Sequence, residues 1–567
     1  MILRVCLVTP FAWSQPHDVN EHVAGVAKEL RKLGHAVTVL APSNRAEDLR
    51  AGRRALLRGP DAELIALGPA FPISRRSHMG VPVGVRANLA LAVARGGYDV
   101  VHGFEPGLPS LSYLALRDAQ ELAVASFFSA DRLGYPPGRA QRERLLARVD
   151  SLIASSPEVA AAAALRFPGE YRILSPGVDL ELFHPAGKAR RIVLEWRPAE
   201  RALARTYLHA LEELPGWELV LLRTKPLMSR PYVPRRLRGR VHVRTALDAE
   251  TRAEALDPAA ILVPAPEGRA RLELEAAAAG AAIARSPHKM LELARNEALR
   301  QAEGAKGRSQ AELESFQRVA AELDRLYRRL AGRRRVAHQD GRLLRDRDWI
   351  LCDLHTHTSW SYDCGVPTSE LLDYAEEQGL GAIAITDHNS FGGALEALEL
   401  ARGRRLVVIA GEEMKTDRQG EVIGLFLTDE IPRGLSFDET VAAIRTQGGL
   451  VYLPHPFDRR HAIPDPATLH RHLADIDVFE VYNARLLFET YNDEALRFAR
   501  KYNLTMGAGS DAHVLPGLGT GVVRMRAFRN PEEFMISLRT AQVLRRPKSL
   551  AYLQSLKWMA QVKEKVR

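Results

Sequence analysis

Cysteine is scarce: the 567 residues hold three (Cys6, Cys352 and Cys364), at no paired spacing. That excludes a disulfide framework and predicts a reducing compartment, the cytoplasm. Long apolar runs are missing as well. No stretch approaches the roughly 18 apolar residues that cross a bilayer, which predicts no transmembrane helix and leaves peripheral contact at the inner membrane face open. The opening MILRVCLVTPF is a short apolar run cut by proline, and it predicts a first strand rather than an export signal. Acidic excess is also absent. The formal net charge is +10, which fits phosphorylated substrates, nucleic acid or anionic headgroups but follows equally from an arginine-rich composition, so it selects no partner. Hydrophobic residues at 46% and charged residues at 26% are those of an ordinary globular chain. The length is too great for one core and predicts about three domains.

What is present is an alternation of strand-like and helical segments. ILRVCLVTP, HAVTVLAP, DVVHGFEP, ELAVASFFS and DSLIASS read as strands, and VNEHVAGVAKELRKLG as a helix closed at Gly34. Strands separated by helices imply a doubly wound parallel sheet. After SPGVD (Ser175–Asp179) a second unit of this kind begins at RRIVLEW and continues through WELVLLRT, VHVRTAL, AAILVPAP and GAAIARSP. Ser315–Leu330 reads as an amphipathic helix. The charged AGRRRVAHQDGRLLRDRD lacks apolar periodicity and reads as a linker over 331–348. Alternation resumes at Trp349, and the chain ends in a basic stretch over 546–567.

Beyond residue 350 a series of imidazoles and carboxylates sits beside apolar runs: His355 and His357 in DLHTHT, Asp363 in SYDCG, and Asp387 and His388 in AIAITDHNS. The series goes on with Glu412 in VVIAGEE, Glu421 in GEVIGLF, His455 in LVYLPHPF, and Asp511 and His513 in MGAGSDAH. A lone histidine is usually a satisfied polar residue. A whole series of this kind is not, because the strand ends of a parallel barrel converge on one rim. An H-x-H pair on an extended end turns both rings to one side. Imidazole with carboxylate suits zinc, manganese or iron, and no cysteine recurs in the series as a thiolate site requires.

DLHTHTSWSYD, TDHNSFGG, GEE, the His455–Pro456 pair, EVYNAR and GSDAH together resemble the polymerase-and-histidinol-phosphatase (PHP) superfamily of metal-dependent phosphoesterases, over about 350–525. The resemblance implies a distorted (β/α)7 barrel holding two or three divalent ions. It assigns His355, His357, Glu412 and Asp511 to one ion, Asp363, His388 and His513 to a second, and Glu412, Glu421 and His455 to a third. Glu421 stands where relatives usually carry histidine. The implied chemistry is hydrolysis of a phosphate ester by activated water, with His513 or His455 protonating the leaving group. Arg485 and Arg459 are the candidate phosphate clamps.

The first half resembles the GT-B glycosyltransferases, in TPFAWSQPHDVNEHVAGVAKELRKLGHAVTVLAPS, YDVVHGFEPGLPSLSYLAL and SPGVDLELFHP. This implies two Rossmann-type domains, over 1–180 and 181–330, and a nucleotide sugar held by an E-x7-E pair, here Glu267 and Glu275. In such enzymes the second acid holds the donor ribose and the first lies near the sugar. Several positions depart from that pattern. His17–Asp18 replaces the glycine pair that approaches the donor phosphates, Phe128 stands at the active-site histidine, and the diphosphate clamp is reduced to Arg197 and Arg201. These departures predict weakened or lost transfer. The expectation is therefore an α/β chain: a GT-B-like pair of Rossmann-type domains followed by a PHP barrel over 349–545. It hydrolyses a phosphate ester on a phosphorylated small molecule, glycoconjugate or nucleotide, with the first half binding or positioning it. A bifunctional enzyme with a working transferase and a silent scaffold are the alternatives.

Overall fold

The computed structural model describes residues 2–58, 62–74, 77–79, 85–225, 229, 231–266, 270–334, 344–460 and 462–545. Glu267, the middle of the expected linker and the basic stretch 546–567 lie outside the described residues. The chain forms two compact units, Met1–Ala331 and Gly332–Arg567.

In the first unit, β1 (Arg4–Val8), β2 (Ala36–Ala41), β3 (Leu64–Ala66), β6 (Val100–Phe104), β7 (Leu122–Phe127), β8 (Ser151–Ala154) and β9 (Tyr171–Ile173) form a parallel sheet in the order 3-2-1-6-7-8-9. The strands β4 (Phe71–Ser74) and β5 (Ser77–Met79) pair as a separate hairpin. A second parallel sheet has the order 12-11-10-13-14, from β10 (Arg191–Glu195), β11 (Glu218–Arg223), β12 (Val241–Thr245), β13 (Ile261–Val263) and β14 (Ala282–Ile283). Each order reverses beside its first strand, which opens a crevice at the strand C-termini. The helix Asp18–Lys32 shows how local signals set these elements. His17 caps it by accepting from Val19 N, Asp18 and Glu21 occupy its positive end, and Arg31 and Lys32 its negative end. Gly34 follows at φ +89°, a conformation that favours glycine.

At the end of β6, Glu105 is fully buried at φ +52° and paired with Arg132 Nη1 at 3.0 Å. Burial raises its pKa to about 7 from an ordinary 4.5, against the opposing pull of Arg132. The unfolded chain ionises this group first, so between pH 4.5 and 7 the folded state holds more protons and stability falls as pH rises. The effect levels off above pH 7 at about 3 kcal/mol, from 1.36 kcal/mol per pKa unit. Glu105→Gln is expected to be more stable than the parent at pH 8 and equal to it at pH 4. Urea unfolding at the two pH values measures this, and a parallel offset at both would contradict it.

In the second unit β15 (Trp349–Thr356), β16 (Ala382–Ile385), β17 (Val407–Lys415), β18 (Glu421–Leu425), β19 (Leu450–Leu453), β20 (Val478–Asn483) and β21 (Thr505–Gly509) lie side by side in chain order. The chain just past β21 returns to β15: Thr356 bridges Ala512 in parallel, and Asp511 N donates to His355 O at 2.8 Å. The sheet is thus nearly closed into a seven-stranded barrel. Its distortion is local. β18 runs antiparallel to both β17 and β19 and follows β17 through a tight hairpin in which Lys415 faces Glu421. β22 (Gly521–Arg526) and β23 (Gln542–Arg545) extend the sheet antiparallel on the other side of β15. Cys352, Leu354, Ala382, Ala384, Ile409 and Ile423 pack in its apolar core. No helix among the described residues is long and apolar enough to cross a membrane.

Candidate metal centre

The parallel strands of the barrel deliver their C-terminal ends to one rim, and the reversed β18 delivers its N-terminal end there. That is how Glu421, the first residue of a strand, joins residues that follow strand ends. His355 and His357 come from the end of β15, Asp363 from the loop after it, His388 after β16, His455 after β19, and Asp511 and His513 after β21. His455 and Asp511 are held at φ +25° and +51°. Such backbone costs on the order of 1–3 kcal/mol in a residue other than glycine and persists only where its surroundings impose it. Gly509 shows how tightly the site is built: a Cβ there would lie 2.3 Å from His355 Cβ.

One expected residue is displaced. The sequence pattern assigned Glu412 to the cluster, but the carboxylate at its centre is Glu413. Adjacent residues of a strand point to opposite faces. Glu412 turns away, where its Oε2 accepts from Ile431 N at 3.0 Å and burial raises its pKa to about 7. Glu413 Oε2 lies 3.2 Å from His355 Nε2, 3.1 Å from His388 Nδ1 and 3.5 Å from His357 Nε2, and its Oε1 lies 3.1 Å from His455 Nε2.

The other residues of the series converge around it. His355 Nε2 and His357 Nε2 are 3.1 Å apart, and Asp511 Oδ1 lies 3.4 Å from the latter. Asp363 Oδ2 is 2.9 Å from His513 Nε2, and its Oδ1 is 3.8 Å from His388 Nε2. Glu421 Oε2 lies 3.6 Å from His455 Nε2. Among the described residues, four overlapping groups have their donor atoms within 4.8 Å of one another: His357, His388 and His513; His355, His357 and Glu413; His355, His455 and Asp511; His388, Glu413 and Glu421.

The hydrogen bonds behind these residues test whether the set fits cations. His355 Nδ1 faces the Glu480 carboxylate at 3.2 Å, so it carries the proton and leaves the Nε2 lone pair pointing inward. His513 Nδ1 faces the Asp511 carbonyl at 3.0 Å, with the same consequence. His357 Nδ1 meets Ser361 Oγ at 3.1 Å, and that hydroxyl donates to Asp387 Oδ1 at 2.7 Å, so His357 must be the donor. With one proton each, these three imidazoles would turn bare Nε2 atoms to a carboxylate-lined centre, the arrangement of metal-ligating histidines. In the chain alone the cluster is strongly charged. Burial works against charge on His355, yet Glu413, Asp511 and Glu480 hold its pKa well above the ordinary value. Burial likewise opposes charge on Glu413 and Asp511, and cationic neighbours, led by His355 and Arg485 respectively, hold both carboxyls well below theirs.

Asp387 and Glu480 lie behind the cluster. Asp387 also accepts from Thr358 N and Thr358 Oγ1, both at 2.7 Å. Glu480 accepts from Tyr452 Oη and His455 N, both at 2.7 Å. EVYNAR carries Glu480 in plain view, but nothing in that segment says which way its carboxylate points. Because Ser361 fixes the His357 tautomer, Ser361→Ala is expected to weaken metal retention 10–100-fold, the usual scale for such partners. Metal content after graded chelation measures this, and unchanged retention would remove Ser361 from the role.

The two arginines separate. Arg485 Nη1 donates to Asp511 Oδ1 at 3.1 Å, and its Nη2 is 3.6 Å from Asp363 Oδ2. Arg459 turns to Glu494 at 3.4 Å. In the first unit Glu275 is fully buried between Arg252 and Arg271, and Arg197 pairs with Glu195.

Sheet order and rim together define a GT-B-like pair of Rossmann-type lobes followed by a barrel of PHP type. Comparison with known proteins agrees. The model of glycosyltransferase family 4 matches residues 19–182, the PHP domain model matches 353–493, and the PHP-associated model matches 489–543. The chain belongs to the PHP family through its second unit and carries a glycosyltransferase family 4 region in its first. An uncharacterised protein of Methanocaldococcus jannaschii is 35% identical over 211 residues, which cover 35% of this chain and 84% of that protein. A phosphatidyl-myo-inositol mannosyltransferase of Propionibacterium freudenreichii is 29% identical over 237 residues, or 41% of this chain. The match spans only 59% of that relative's length. Among solved structures, PsfC from Pseudomonas syringae is 18% identical with a TM-score of 0.31, covering 38% of this chain and 99% of its own. The glycosyltransferase AviGT4 of avilamycin A biosynthesis is 17% identical with a TM-score of 0.34, covering 58% and 98%.

Proposed function

We propose that the second unit is a metal-dependent phosphoesterase. The observation that carries this reading is the pair of Nε2 atoms of His355 and His357 turned toward Glu413, each ring fixed from behind by an acceptor, with His513 fixed in the same way beside Asp363. His355, His357, Glu413 and Asp511 would hold one ion, Asp363, His388 and His513 a second, and Glu421 and His455, with Glu413 shared, a third. Bound there, manganese, zinc or iron would supply an activated water and Lewis acidity toward the phosphoryl group.

The chain's own residues supply the rest. Arg485 stands beside Asp363 and Asp511 with a forked guanidinium able to hold two phosphoryl oxygens. Its Nη1 is 3.2 Å from His513 Nε2, so a phosphate held by Arg485 would lie next to His513. Whichever of His513 and His455 is not engaged in holding an ion would carry the proton for the leaving alkoxide. Glu480 and Asp387 keep the histidines oriented without touching substrate. The ester is carried by a phosphorylated small molecule, a glycoconjugate or a nucleotide.

The test is hydrolysis of p-nitrophenyl phosphate and bis-p-nitrophenyl phosphate by the full chain loaded in turn with Mn²⁺, Zn²⁺ and Fe²⁺, alongside metal analysis. Turnover that disappears on chelation and returns with metal is expected. The comparison of the two substrates sorts monoesterase from diesterase. A protein that takes up metal but hydrolyses neither substrate, nor a panel of sugar phosphates and nucleotides, would contradict the reading.

A further inference from the structure

The resemblance of the first unit to nucleotide-sugar enzymes raises the question of whether its cleft can take such a donor. Three helices meet between its lobes: Asp18–Lys32 from the first, and Ala249–Leu256 and Ala270–Ala278 from the second. Arg252, fully buried, joins them. Its Nε and Nη2 each donate to Glu275 at 2.6 Å, while Nη2 also reaches Glu21 Oε2 at 2.7 Å and Nη1 reaches Glu21 Oε1 at 3.3 Å. Arg271 completes the group, with Nε 3.3 Å from Glu275 Oε1 and Nη1 donating to Asp18 O at 3.0 Å. Two arginines and two glutamates balance, and three of the four are almost wholly out of water. Deleting one member of such a network strands a buried charge.

This arrangement uses up what a donor needs. Glu275, the acid expected to hold the ribose, has both oxygens engaged by guanidinium groups. Neutral ribose hydroxyls cannot replace two buried cations as partners for a buried carboxylate. Asp18 is bound into the network through its carbonyl, and the neighbouring His17 ring stacks on Phe11 at 3.6 Å between centroids. Phe128, at the expected histidine position, packs edge-on against His22 at 4.8 Å. At the switch point of the second sheet, Arg197 shares its crevice with the carboxylates of Glu195 and Glu200. Among the described residues that line it, a diphosphate would face two glutamates and one arginine.

We infer that the first unit takes no nucleotide sugar, and that the Glu21–Arg252–Glu275–Arg271 network instead latches its two lobes together. The family resemblance then lies in the fold and not in the transfer reaction. The inference is independent of the phosphoesterase reading.

Two measurements on the full chain test it. The first is calorimetric titration with UDP-glucose, GDP-mannose and ADP-glucose up to about 5 mM, with release of nucleoside diphosphate followed in parallel. The expected result is no saturable heat and no release. Saturable binding of any one of the three that is lost in Glu275→Gln would overturn the inference. The second is amide hydrogen exchange in Glu21→Gln, a conservative change at the most accessible member, and in Arg252→Met. Exchange in the helices Asp18–Lys32 and Ala249–Leu256 is expected to rise by about tenfold or more as the lobes separate. Exchange unchanged in Glu21→Gln, which should fold even if Arg252→Met does not, would sink the latch.

Discussion

Glu413→Gln is expected to lower kcat/KM for phosphoester hydrolysis by at least about 10³-fold, on the order of 4 kcal/mol of transition-state stabilisation. Glu412→Gln, one residue away, is expected to change kcat/KM far less. The contrast follows from geometry. Glu413 is fully buried, and its two oxygens stand within 3.5 Å of ring nitrogens from His355, His357, His388 and His455. Glutamine keeps the shape but removes the negative charge that faces these rings and would balance a cation held there. Both metal content and turnover should fall together, and elemental analysis alongside kinetics would show it. Glu412 already accepts a backbone N–H, and burial raises its pKa to about 7, so a neutral amide of equal size replaces a group whose charge its surroundings already disfavour. If Glu412→Gln proved the damaging change, the assignment of the inward face of β17 would be wrong.

That single register step marks the limit of what the sequence made legible. The alternation of strands and helices was readable from apolar periodicity, and the imidazoles and carboxylates that gather at the rim from the residue types beside each strand-like run. GEE, however, offers two carboxylates in adjacent positions. Choosing between them requires the pairing of β17 with its neighbours, where Gly411 lies against Leu425 and Glu413 against Ile423. Glu421 posed the converse problem. It begins a strand, and it reaches the rim only because β18 runs backwards, a fact carried by a hairpin rather than by composition. The groups behind these side chains were still less visible. Glu480, Ser361 and Asp387 act through the direction of one hydrogen bond each, and no spacing encodes that. The charge network in the first unit is drawn from three helices more than 200 residues apart in sequence at the extremes (Glu21 and Glu275). The departures at His17–Asp18 and Phe128 could be read as losses, but not what replaced the lost interactions.

Arg485→Ala is expected to cost about 10²–10³-fold in kcat/KM, the scale for removing one preorganised charge from a transition state, while leaving metal content nearly intact. The side chain is 30% exposed and sits at the edge of the cluster, so part of the guanidinium is available to substrate while the remainder rests on Asp511 and Asp363. Its backbone is pinned: Arg485 N donates to Asn483 Oδ1 at 2.9 Å, and Asn483 Nδ2 donates to Asp511 Oδ2 at 3.2 Å. The fork therefore arrives already oriented, and a point charge on a flexible stem cannot reproduce it. Arg485→Lys should recover only part of the loss, with the deficit in kcat larger than in KM if the contact tightens as charge builds on the phosphoryl oxygens. Arg459→Ala serves as the internal comparison, because that side chain is turned to Glu494 and should change turnover little. Loss of metal together with activity in Arg485→Ala would place the arginine among the groups that hold Asp363 and Asp511 in position, and would remove it from contact with the phosphate.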